Sequence, residues 1–322
     1  MTSLEVPPPA PPLAGRAGTT TVDRTTVAWE RWDTASGLAG RPCVVLVHGT
    51  SAHTAWWHHT VAGLGGDLDV LAVDLSGHGA SGRRDHYSLE AWSAEVAAVV
   101  EEECDGPALL VGHSIGGLVA AGVAATRPDV VHSLVLVDSI VDEPAGAARS
   151  RPVLRPSARF ASEREGLARY RLMPPQPVPD DRTLDYVARH SLRPDDGGWV
   201  WKVDPAIFAA LDAVPLTGAL AGIRCPTVVV RGELSTLVPP DAGRTLGRLL
   251  GVDVVQHDVP DAYHHVMVDQ GPAFARILRH VLDELVAAPQ DPLDAPPGPP
   301  PGPPPGPPPG PPPDPPLDEE SP

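Results

Sequence analysis

Short, continuous apolar runs punctuate the middle of the chain, and stretches with helical spacing separate most of them. The runs fall at residues 43–47 (Cys43-Val44-Val45-Leu46-Val47), 70–73, 108–111, 133–137 and 227–230, with a sixth over 252–255. Apolar residues follow one another there instead of alternating with polar ones. Such strands need cover on both faces, which predicts a mostly parallel central sheet flanked by helices, an α/β fold. The helices are legible as well. Residues 89–103 follow Ser88, a good N-cap, and carry apolar side chains at helical spacing. Residues 117–125 are small and apolar, and 241–250 and 272–287 predict two further helices. Upstream, residues 19–22 predict a short edge strand, Asp23-Arg24 a turn, and 25–32 the antiparallel strand after it.

Between 141 and 215 this alternation stops. The segment is rich in arginine and proline, with dispersed aromatics at Phe160, Tyr170, Trp199, Trp201 and Phe208. It predicts an inserted, mainly helical cap that covers a pocket. The aromatics, with Trp56 and Trp57, are expected to face an apolar substrate group, or else to form the cap's own core. The ends differ again. Residues 1–18 are rich in Pro, Ala and Gly, and 289–322 are Pro/Gly-rich with glycines at 298, 302, 306 and 310. A period of four excludes collagen. Both ends are expected to be disordered, leaving a core over 19–140 and 216–288. The tail would suit an SH3-like or WW-like partner, but a solvated extension is the simpler expectation.

The chain has 322 residues and a net charge of −17, which argues against nucleic acid or an anionic membrane as partner. A small-molecule substrate is expected instead. Cys43, Cys104 and Cys225 make no metal spacing and leave one thiol over in any disulfide scheme. The first residues lack a basic and then apolar leader, and no stretch is apolar enough to span a bilayer. A reducing cytoplasm is the expectation.

The chemistry concentrates in Gly112-His113-Ser114-Ile115-Gly116, a G-x-S-x-G sequence between an apolar run and a helix. A strand, a tight turn carrying serine and then a helix is the setting of a nucleophile elbow. Three other segments accompany it: His48-Gly49-Thr50 after the first run; Asp74-Leu75-Ser76-Gly77-His78-Gly79 after the second; and Asp261-Ala262-Tyr263-His264-His265, leading on to Asp269, near the end. Together, over residues 19–288, these resemble the α/β-hydrolase fold superfamily in its serine-nucleophile form.

The resemblance implies Ser114 as nucleophile, His264 as its base with His265 as the near alternative, and the N–H groups of Thr50 and Ile115 as an oxyanion hole. The family's usual acid follows the strand at 227–230, but that position holds Ser235, which cannot carry the charge. Asp138 at the end of the preceding strand is the favoured acid and Glu233 the alternative; Asp142 and Asp241 are remoter. The pairs His58-His59 and His264-His265 have no further ligands at a familiar spacing, so neither metal nor cofactor is expected.

These parts predict a serine hydrolase acting on an ester or related acyl bond of a small, largely apolar molecule. A carbon–carbon bond hydrolase of ring-cleavage type would use the same triad, and a perhydrolase side activity the same serine. A non-catalytic, ligand-binding member of the fold is the alternative from another class.

Overall fold

The computed structural model describes residues 15–33, 43–140, 158–178, 181–210, 220 and 222–287. Its strands, in chain order, are β1 (Arg16–Val22), β2 (Thr25–Asp33), β3 (Val44–Val47), β4 (Asp69–Val73), β5 (Ala108–His113), β6 (Val131–Val137), β7 (Arg159–Phe160), β8 (Leu192–Asp195), β9 (Gly198–Trp201), β10 (Thr227–Gly232) and β11 (Val255–Val259). Eight of them form one sheet in the order β1-β2-β4-β3-β5-β6-β10-β11. The first two pairings are antiparallel and every later one is parallel.

The apolar runs are continuous because this sheet is covered twice. Successive side chains of a strand point to opposite faces. Val45 and Val47 of β3 pack with Val96 and Val119, from α2 (Leu89–Glu103) and α3 (Ile115–Thr126). Val44 and Leu46 pack instead with Val61 of α1 (His58–Leu64) and Leu278 of the last helix, α9 (Gly271–Ala287). Every residue of β3 and β5 is buried. Full burial of each such valine or leucine contributes about 1.5–3 kcal/mol. α2 begins where its cap directs, with Ser88 Oγ accepting the Ala91 N–H at 3.1 Å.

Two boundaries differ from the sequence expectation. β1 starts at Arg16, so residues 16–18 belong to the sheet and not to a disordered leader. Pairing with β2 from Arg16 to Arg31 orders them. The sixth run is not a strand over 252–255. Val252 is exposed in the turn after α7 (Ala242–Leu250), whose C-cap Gly251 has φ 72°. The strand there is β11, at the sheet edge, and its half-exposed position admits Gln256, His257 and Asp258.

The described part of the cap holds α4 (Glu163–Arg169), α5 (Asp181–His190) and α6 (Ile207–Ala210). It also holds a three-stranded antiparallel sheet, β7-β9-β8, that the sequence reading omits. Its β8–β9 hairpin turns at Asp196-Gly197, a two-residue turn signal present in the sequence. The remainder of the cap, residues 1–14 and the tail expected over 289–322 lie outside the described residues. No helix among the described residues is long and apolar enough to cross a membrane.

Candidate active site

Ser114 is the one residue between the end of β5 and the start of α3, and the turn there is strained. Its φ of 54° and ψ of −121° are unfavourable for any residue with a side chain, typically by about 1–3 kcal/mol. The surroundings hold it. The Ser114 N–H donates to the Val137 carbonyl, and the Gly117 N–H donates to the Ser114 carbonyl, each at 3.0 Å. A Cβ on Gly112 would run into the Gly116 carbonyl, and one on Gly116 into the carbonyls of Val47 and His48. Both flanking positions of the motif are therefore glycine for reasons of space.

Asp138 directly follows β6 and is fully buried. Its Oδ2 accepts from His264 Nδ1 at 2.7 Å and from Ser235 Oγ at 2.7 Å. Its Oδ1 accepts the Gly232 N–H at 2.9 Å. An ionised carboxylate has only acceptors to offer, so His264 donates from Nδ1, and in the neutral ring the lone pair lies on Nε2. Glu233 is turned elsewhere: it is exposed, and its Oε2 accepts the Asp261 N–H at 3.0 Å. Asp241 sits at the N-cap position of α7, and Asp142 lies outside the described residues. Ser235 is the participant that sequence reasoning passed over. In the sequence it marks only a missing acid, whereas its hydroxyl donates to the carboxylate one strand away.

The loop after β3 faces the same turn. His48 donates from Nδ1 to the Gly49 carbonyl at 2.8 Å and accepts the Leu75 N–H on Nε2 at 3.1 Å. Burial pushes its pKa down to about 4, so it is a neutral strut. Asp74 Oδ1 accepts the Thr54 N–H at 2.7 Å, tying the segment after this loop to the end of β4. Ile115 is the first residue of α3, and its N–H has no acceptor within the helix. Gly49, Thr50, His113, Ser114, His264 and His265 line one cavity of about 180 Å³, with Ala52, Trp56, Met173, Pro174 and Leu237 as its apolar wall. A wider open groove along α7 shares none of these lining residues.

The cap aromatics are a correction. Trp199, Trp201 and Phe208 are not among the residues lining this cavity. Trp201 packs edge-on to Phe160 and against Tyr170, and Phe208 packs on the sheet's own core. Trp57 is wholly buried beside Phe274. Only Trp56 of this set reaches the cavity, and the cap contributes Met173 and Pro174 to it.

A model of the alpha/beta hydrolase family matches residues 44–277, well over half of the chain. The chain belongs to that family. It is 32% identical to esterase Rv0045c of Mycobacterium tuberculosis over 75% of this chain and 83% of the relative. It is 31% identical to a pimeloyl-[acyl-carrier protein] methyl ester esterase of Methylococcus capsulatus over 75% of this chain and 94% of that enzyme. Among solved structures, E-2-(acetamidomethylene)succinate hydrolase superposes with a TM-score of 0.69 at 26% identity, over 84% of this chain and 99% of the other.

In this hydrolase the cap residue Gln176 reaches the histidine loop. Gln176 Oε1 accepts the His265 N–H at 2.9 Å, and Gln176 Nε2 donates to Asp269 Oδ2 at 3.0 Å. Asp269, at the end of α8 (Val266–Asp269), also accepts the Tyr263 N–H at 2.7 Å, while its Oδ1 has no partner among the described residues. Burial pushes its carboxyl up to about 6, against the pull of nearby backbone N–H groups. A raised carboxyl pKa favours the fold when protonated, and that advantage fades as pH rises through 6. Asp269→Asn retains an acceptor and cannot ionise. Its Tm relative to the wild type is expected to rise by about 2–4 °C between pH 4 and pH 7.5 in thermal melts. Parallel pH curves would show that Asp269 titrates normally.

Proposed function

We propose that this protein is a serine esterase that hydrolyses a small, uncharged ester through an acyl-enzyme on Ser114. The observation that carries the reading is the buried Asp138–His264 hydrogen bond, with His264 and Ser114 on one cavity. Ser114 Oγ attacks the ester carbonyl carbon, and its proton passes to His264 Nε2. Asp138 holds the Nδ1–H and stabilises the imidazolium. The carbonyl oxygen, now negative, takes the N–H groups of Thr50 and Ile115. The carbonyl re-forms, and the alcohol leaves with the proton from His264. A water then gives a proton to the same nitrogen and attacks the acyl group, and His264 returns that proton to Ser114 Oγ as the acid leaves.

Relatives named as esterases, one of them acting on a methyl ester, support an ester bond as the target. The cavity's volume and its wall of Ala52, Trp56, Met173, Pro174 and Leu237 support a short apolar acyl group. The net charge of −17 favours a small molecule over nucleic acid, and three free cysteines favour a reducing, cytoplasmic setting. The test is a series of p-nitrophenyl esters of increasing acyl length, run beside fluorophosphonate labelling. Turnover should be fastest for the short acyl chains, with label on Ser114 alone. Absence of both labelling and turnover would turn the reading to a non-catalytic binder.

A further inference from the structure

His264 must present Nε2 to Ser114, and the backbone that carries it decides where its ring stands. The peptide group joining His264 to His265 is held from both sides. His113 Nε2 donates to its carbonyl at 2.9 Å, and Gln176 Oε1 accepts its N–H, also at 2.9 Å. The first holder is the neighbour of Ser114 in the core; the second belongs to the cap. The other end of the Gln176 amide donates from Nε2 to Asp269 Oδ2, the oxygen that also accepts the Tyr263 N–H. The residues on either side of His264 are thereby tied to one glutamine–aspartate pair.

We propose that Gln176 is a positioning residue for the reaction: by bridging His265 and Asp269 it fixes the loop that carries His264 and so aims the ring at Ser114. This role rests on the reading of His264 as the base. Asp138 holds that ring at Nδ1. One anchored nitrogen leaves a ring able to pivot, and the opposite nitrogen, Nε2, then moves most. The second anchor is the backbone, and Gln176 holds the part of it that faces the cap.

The local sequence suits Gln176 to this task. Pro174 and Pro175 precede it and Pro177 follows it. A proline fixes its own φ and restricts the residue before it. The glutamine therefore hangs from a stiff segment, and little further freedom is lost when its amide is bound. The same segment supplies Met173 and Pro174 to the cavity wall, and their carbonyls face the His265 ring. The groups that would meet the acyl chain and the group that aims the base thus share one short stretch of the cap. His265 is buried, so its N–H has no water to turn to if the glutamine is removed. The loop can satisfy that N–H only by moving, and His264 moves with it.

The test uses the full-length protein. Gln176→Met keeps the side chain's length and removes both hydrogen bonds. With folding checked by circular dichroism, its kcat on a short-chain p-nitrophenyl ester should fall about 10- to 100-fold while KM stays within about twofold, because aiming the base does not bind substrate. A readout independent of turnover is the far-downfield proton resonance of His264 Nδ1–H on Asp138, identified by its absence from Asp138→Asn. It should shift and exchange faster with water in Gln176→Met. That shift in a protein whose wild type turns over no ester would keep the link from Gln176 to His264 and remove the esterase reading instead. Gln176→Glu separates hydrogen bonding from bulk. One carboxyl oxygen can still accept the His265 N–H, but the other meets Asp269 Oδ2, and a bond between them needs a proton. His265 and Asp138 act on this pair too, in the wild type and the variant alike. The ratio of variant to wild-type kcat should approach one near about pH 5.5 and fall about tenfold by about pH 8. Wild-type kcat and an unmoved resonance in folded Gln176→Met would overturn the proposal. So would a rise in KM alone, or a Gln176→Glu ratio that is flat with pH.

Discussion

Ser114→Ala should lose ester turnover by about 10⁶-fold in kcat, the size of effect seen when another serine hydrolase loses its triad serine. It should also lose all fluorophosphonate labelling. The variant should fold. Alanine replaces only Oγ, and the strained turn is held by backbone bonds from Ser114 to Val137 and from Gly117 to Ser114, which the substitution leaves in place. What is removed is the atom proposed to form the acyl-enzyme, so no partial activity is expected from His264 and Asp138 alone. Residual hydrolysis should reach only what oriented donors and binding supply. Turnover within tenfold of the wild type, with an unchanged melting curve, would move the nucleophile away from Ser114.

The parts of the fold that are legible in the sequence are those in which local pattern and tertiary burial agree. The runs at β3, β4, β5, β6 and β10 are covered on both faces, so nearly all of their residues are apolar for the same reason and follow one another without alternation. β11 is hard to place from the sequence because it is an edge strand: its half-exposed residues need not be apolar, while the valines in the preceding turn imitate a core run. The cap strands leave no mark in the sequence pattern because β7 has two residues and β8 includes exposed Arg193 and Pro194, so neither shows a burial period.

The elbow could be read because its glycines are demanded by contacts that recur wherever this turn is built. The grouping of Asp138, Ser235 and His264 could not be read in full, since it depends on three segments far apart in sequence. Asp138 was reachable only through its place at a strand end. Its hydrogen bond from Ser235 becomes visible once β6 and β10 lie side by side. The aromatic residues misled for a related reason: composition marks a side chain as apolar and cannot say which of two apolar spaces it fills.

Asp138→Asn should lower kcat by about 10⁴-fold, with Glu233→Gln within twofold of the wild type. The carboxylate is acceptor-only and receives His264 Nδ1, Ser235 Oγ and the Gly232 N–H. An asparagine must present an NH₂ group on one side. If that group faces His264, the ring is driven to the wrong tautomer and Nε2 can no longer take the Ser114 proton. If it faces the Gly232 N–H instead, two donors oppose each other in a buried site. Ser235→Ala removes one of three hydrogen bonds and leaves the charge, so about tenfold or less is expected from it. The decisive variant combines Asp138→Asn with Ser235→Asp. Ser235 Oγ already lies 2.7 Å from the Asp138 oxygen that holds His264, and an aspartate there reaches one atom further. It restores a charge beside Nδ1 from the position where the family usually keeps its acid. The double variant is expected to recover at least tenfold in kcat over Asp138→Asn alone. A larger loss in Glu233→Gln than in Asp138→Asn would reassign the acid. Failure of the double variant to recover, with its fold intact, would mean that His264 depends on Asp138 for more than charge.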